Sequence, residues 1–129
     1  MARWYIALAA VSGLLAVALG AFGAHALKTR LDETALSVYQ TAVQYHFYHS
    51  FALLAVGLLC LWQPQSRLLL SSGAAFVVGL LMFCGSLYLL SFTGIRWLGA
   101  ITPVGGLFFM AGWVLLALAG WQLGGTSTP

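Results

Sequence analysis

Four apolar runs, each long enough to cross a bilayer and none with an Asp, Glu, Lys or Arg inside it, leave this chain few ways to fold. They extend from about Trp4 to Leu27, Ala42 to Trp62, Leu68 to Phe92 and Trp97 to Leu123. A helix crosses the hydrocarbon core with about 20 apolar residues. The runs are apolar all round rather than striped, which suits helices bathed in lipid. They are too long for the strands of a membrane barrel and lack their alternation. Only 5% of the 129 residues are charged, against about 25% in a soluble domain. The expected fold is therefore all-α: one domain over residues 1–129, a bundle of four transmembrane helices with antiparallel neighbours and short loops except the first.

The breaks between runs support this reading. Gln63-Pro64-Gln65-Ser66-Arg67 and Thr93-Gly94-Ile95-Arg96 are short polar turns. The first connection is longer, from Lys28 to Thr41, and holds both acidic residues, Asp32 and Glu33. Asp32 or Thr34 can cap a helix there, so an interfacial helix over about 32–41 is expected to lead into the second span. Trp4, Trp62, Trp97 and Trp121 fall near run ends, where an aromatic belt belongs. Ala24-His25-Ala26 resembles a leader-peptidase site, but the run before it carries Ser12, Ala16, Gly20 and Ala24 at every fourth position. Such a stripe lets helices approach closely in lipid, and the run is expected to remain as the first span. Ser71, Ala75 and Gly79 in span three, and Gly105, Gly112 and Ala119 in span four, are further contact candidates.

Four spans place both termini on one side. Arg3 and Arg67 belong to that side, and Lys28, Arg30 and Arg96 to the other. Two against three sets no orientation by the positive-inside rule. These five basic residues are scattered as snorkelling anchors and make no nucleic-acid footprint. Cys60 and Cys84 are expected about 20 Å apart in depth, beyond disulfide reach.

The polar side chains gather at one end. His25 closes span one. Gln44, His46, His49 and Ser50 open span two. Ser86, Tyr88 and Ser91 close span three, and Thr102 follows Arg96 into span four. Antiparallel threading brings all four ends to one membrane face. Polar groups at membrane depth need partners and turn inward. Three readings follow. His25, Gln44, His49 and Tyr88 form an interhelical hydrogen-bond network; or the cluster binds a lipid, a quinone or another amphipathic molecule; or it is a metal, haem or proton-relay site. For a metal, His25, His46 and His49 are the weak candidates. No carboxylate lies within the spans to join them, so no metal is favoured. Haem would need axial histidines facing each other, and only one helix carries two. Nucleophile-elbow, phosphate-loop and zinc-protease motifs are missing, as are paired carboxylates. A chain with two acidic residues is not expected to be an enzyme, nor to carry a cofactor.

Several blocks resemble the signatures of the YgdD-like family of small membrane proteins. They are Gly20-Ala21-Phe22-Gly23-Ala24-His25 with Leu27, then Gln40-Thr41, Tyr45 and His49, then Gly85-Ser86-Leu87-Tyr88, and finally Thr102-Pro103-Val104-Gly105-Gly106 with Ala111-Gly112-Trp113. The match runs in order along essentially the whole chain. The resemblance implies a four-helix protein of the bacterial inner membrane and no established activity. It places His25 and His49 in motif positions, with Tyr88 and Thr102 nearby, and leaves His46 outside.

The expectation is a non-enzymatic multi-pass protein of the lipid bilayer. Its leading role is an accessory or scaffold subunit in a larger complex or homo-oligomer. One rival is a binder of a lipid, quinone or other amphipathic ligand at His25, Gln44, His49, Tyr88 and Thr102. A minimal transporter or proton conductor is the other.

Overall fold

The computed structural model describes residues 1–125, and side chains up to Leu123. These residues are helical apart from short connections and contain no strand. Helix α1 is Ala2–Phe22, continued by a π-helical turn Gly23–Leu27. Helix α2 is Glu33–Trp62. Helix α3, Arg67–Gly79, passes through a second π turn, Leu80–Cys84, into α4, Gly85–Thr93. A 3₁₀ segment Arg96–Ala100 precedes α5, Thr102–Gly125. Four helical runs among the described residues are long and apolar enough to cross a membrane: Ala2–Leu27, Glu33–Trp62, Arg67–Thr93 and Arg96–Leu123.

Local chemistry sets the ends. Asp32 adopts an extended backbone and its carboxylate accepts the Ala35 N–H at 2.7 Å, capping α2. Ser66 does the same for α3 through the Leu69 N–H. Gly94, at φ 69°, terminates α4 in the left-handed conformation that favours glycine. The helix expected from about residue 32 runs unbroken into the second span as the first part of α2, because no proline or glycine interrupts the run to Val56. The fourth span starts directly after the turn, as expected, with the tighter segment Arg96–Ala100 leading into α5 at Thr102. Asp32→Ala should cost about 1 kcal/mol, the usual worth of such a cap, read as a lowered midpoint of thermal unfolding in detergent.

Helix α2 is central, with 44% of its most apolar window buried against 17% for α1 and for the last span. Helix α1 packs along α2, and α5 packs along α3 and the second π turn. Glycines set both approaches. Gly57 lies under Ile6, Gly20 against Val43 and Gly23 under the Tyr39 ring. On the other side Gly105 lies on the Phe83 backbone, Gly79 on Phe109 and Gly112 on Phe76. The repeat Gly105, Gly112 and Ala119 is buried throughout, as its spacing implied. In the stripes of spans one and three Ala16, Ala75 and Gly79 are buried and Gly20 meets Val43, as expected, and one member of each departs. Ala24 and Ser71 are exposed, while Ser72 is buried and its hydroxyl donates to the Gly112 carbonyl at 2.7 Å. The four belt tryptophans, Trp4, Trp62, Trp97 and Trp121, all face outward. Cys60 and Cys84 are buried free thiols.

Helix α1 meets α3 near its start, where the Tyr5 hydroxyl donates to the Leu70 carbonyl at 2.5 Å and its ring covers Gly73. Farther along, α1 keeps its close packing with α2 alone. A groove therefore opens between α1 and the α3–α4 run, with α2 as its floor.

Candidate functional site

The polar residues of the second span face two ways because of their spacing. His46 and His49, three apart on α2, point to different partners. His46 turns toward α4, where its Nδ1 and the Tyr88 hydroxyl share a 3.0 Å hydrogen bond. His49 turns toward α5. Its Nδ1–H donates to the Tyr45 carbonyl at 2.9 Å, one turn back along α2. That leaves the Nε2 lone pair to accept the indole N–H of Trp113 at 3.1 Å. These two bonds fix the tautomer, since the neutral ring has one donor and one acceptor nitrogen. The His49 ring also stacks on Phe109, centroids 3.5 Å apart and 9° from parallel. Phe76 and Trp113 close around it at 5.8 Å and 5.9 Å.

Smaller links extend the network. The Ser50 hydroxyl donates to the His46 carbonyl at 2.7 Å, so the Ser12 hydroxyl of α1 is the donor in its 2.6 Å bond to Ser50. Ser86 and Thr102 share a 2.6 Å bond that ties α4 to the first residue of α5. Ser91 donates back to the Tyr88 carbonyl at 2.8 Å. Tyr39 packs edge-on against Tyr88 and Phe92, and its hydroxyl donates to the Leu19 carbonyl of α1. Among the described residues, no fully buried side-chain nitrogen or oxygen lacks a partner. Each link joins two helices or ties a side chain to its own backbone, which is how polar groups are met inside a membrane.

The expected set is thus divided. His49 and Tyr88 are in the interior network, and Thr102 joins it through Ser86. They do not form one constellation with His25 and Gln44. His25 is exposed on the π turn that ends α1, and Gln44 is exposed on α2, on a shallow cleft with Gly20, Tyr39 and Gln40. The reason is rotational: the π turn swings His25 outward, and Gln44 lies on the opposite face of α2 from His46. No group of three potential metal ligands occurs among the described residues, and His25 stands apart from His46 and His49. His46, set aside on motif grounds, is the Tyr88 partner. Trp113, Phe109 and Ser12 were missed as members. Trp113 had one legible signal: it sits well inside span four, away from the belt positions of the other tryptophans.

A family model described as a protein of unknown function, DUF423, matches residues 19–106, about two thirds of the chain. The chain belongs to the DUF423 family. The match takes in His46, His49, Tyr88 and Thr102 and stops short of Trp113. The DUF423 chain is 43% identical over 115 residues to the UPF0382 membrane protein YwdK of Bacillus subtilis, covering 89% of this chain and 94% of that protein. It is also 43% identical over 118 residues to a UPF0382 membrane protein of Haemophilus influenzae, covering 91% and 93%. A Staphylococcus epidermidis UPF0382 membrane protein is 40% identical over 115 residues, covering 89% and 93%. No solved structure matches the chain. These names differ from the YgdD-like one that the motifs suggested, and they agree with it on a bacterial membrane family of unknown function.

Proposed function

We propose that this DUF423 protein is a non-enzymatic accessory or scaffold subunit of the bacterial inner membrane, with both termini on one side, that works within a larger complex or a homo-oligomer. The observation that carries this reading is the outer face of α1. Ala7, Ala10, Leu14, Val17, Ala21 and Ala24 recur there at alternating three- and four-residue steps, and all are exposed. Leu14 at the middle of the seam is 68% exposed. In lipid, helices associate where small side chains allow close contact, and a three–four spacing is the seam of left-handed helix pairing. The interior supports the same reading. Its histidines, tyrosines and serines are engaged in holding helices together, and no carboxylate lies at membrane depth.

The chain carrying an affinity tag, expressed at its native level and extracted in mild detergent, should come out with a stoichiometric partner or as a homo-oligomer. Ala10→Trp, which puts bulk on the seam, should release that partner while the protein remains folded. A monodisperse monomer without a partner would contradict the proposal.

A further inference from the structure

We infer that the groove between α1 and the α3–α4 run is a binding site for an isoprenoid quinone, held by a hydrogen bond from the His46–Tyr88 pair to a ring carbonyl. The groove has a volume of about 340 Å³, within the range of small-molecule sites. Leu8, Val11, Leu15 and Leu19 of α1 form one wall, and Val77, Leu80 and Leu81 form the other. Leu15 and Leu81 are 50% and 72% exposed, so the groove opens sideways to the bilayer. A lipid-soluble ligand can enter there without crossing water.

The floor is not apolar. His46 and Tyr88 both line it, and they share a single hydrogen bond with no other hydrogen-bonding partner. If the Tyr88 hydroxyl donates to Nδ1, the imidazole carries its proton on Nε2 and that N–H is unspent. If Nδ1–H donates instead, the Tyr88 O–H is unspent. Either way the pair keeps one donor in hand. Because no fully buried nitrogen or oxygen is unpartnered, the His46 Nε2 is open rather than sealed. The other polar group of the groove, Ser12, already spends its proton on Ser50. A lone donor facing hydrocarbon calls for an acceptor carried by an otherwise apolar molecule.

Two further observations select the acceptor. No Lys, Arg, Asp or Glu lines the groove. A phospholipid would bring its charged head group with its ester carbonyl and find no counter-charge there. The pair is also set inward: His46 lies about 24 Å along α2 from Trp62, and Tyr88 about 8 Å along α4 from Thr93, at 1.5 Å per residue. An uncharged planar ring with carbonyls and an isoprenoid tail meets both conditions. The backbone makes room for the ring. The π turn Leu80–Cys84 supplies Leu80, Leu81 and Cys84 to the wall, and π turns often mark functional positions. Gly85, next along and also in the lining, leaves open space where a side chain would stand.

The test is native mass spectrometry of the full chain released from phosphatidylcholine nanodiscs doped with a short-chain isoprenoid ubiquinone of two isoprene units. One quinone per protomer should be retained. His46→Leu should lower its retention about tenfold, the worth of one hydrogen bond at about 1.4 kcal/mol per decade. His46→Gln, which keeps an N–H donor, should restore part of it. At Gly85 an added Cβ meets nothing within 4 Å and the space beyond it is the groove, so Gly85→Leu should fold normally and exclude the quinone. Retention of phosphatidylcholine in its place, no adduct, or equal retention in wild type and Gly85→Leu would each overturn the inference.

Discussion

Gly105→Ala should destabilise the protein by about 3 kcal/mol, at the upper end for overpacked sites, while Gly85→Ala should be neutral or slightly stabilising. A Cβ at Gly105 would fall within 3.0 Å of the backbone nitrogen, the Cα and the Cβ of Phe83. Backbone cannot rotate aside as a side-chain tip can. Helix α5 would have to retreat from the second π turn along its length. Retreat would also strain the neighbouring contacts of Gly79 with Phe109 and of Gly112 with Phe76, and the Ser72 bond to the Gly112 carbonyl. At Gly85 an added methyl meets nothing within 4 Å, and alanine is favoured over glycine in a helix by up to about 1 kcal/mol. Reversible SDS unfolding in mixed micelles, followed by circular dichroism, gives both values. Equal effects at the two glycines would mean that α5 does not approach the second π turn as closely as described.

His49→Phe should cost about 1–3 kcal/mol, the penalty for leaving a buried polar group unpaired, and Trp113→Phe in the same chain should recover part of it. Phenylalanine preserves the stack on Phe109 but has no lone pair for the Trp113 indole and no donor for Tyr45. The indole N–H then has no acceptor, having used only His49 Nε2. Removing it as well takes away the orphan donor, so the double variant should be more stable than the two separate losses imply. Thermal unfolding of the four proteins in one detergent yields the coupling. Strict additivity would show that the indole and the imidazole do not interact.

The spans, the Asp32 cap and the burial of Gly105, Gly112 and Ala119 were legible in the sequence because each depends on local spacing. Run length, a capping side chain and a heptad step are all read along one strand of text. The gathering of polar residues at one end was legible for the same reason: antiparallel threading needs only the order of the runs. Their partners were not. His46 and His49 differ by about 60° around α2, and which of them meets Tyr88 depends on how α2 is rotated against α4. The π turn at Gly23–Leu27 sets the rotation of His25, and the sequence Gly23 to Leu27 carries no sign of that turn. The groove was equally hidden, since it follows from α1 meeting α3 only near Tyr5.

The most direct test of the account is nitrogen-15 magic-angle-spinning NMR on the histidine-labelled protein in lipid. It reads which ring nitrogen of each histidine carries the proton. His49 is expected to be held in one form, with its proton on Nδ1 and Nε2 accepting from Trp113, and its Nε2 resonance should shift in Trp113→Phe. A proton on Nε2, or a signal indifferent to that substitution, would contradict the claim that His49 is built into the packing between α2 and α5.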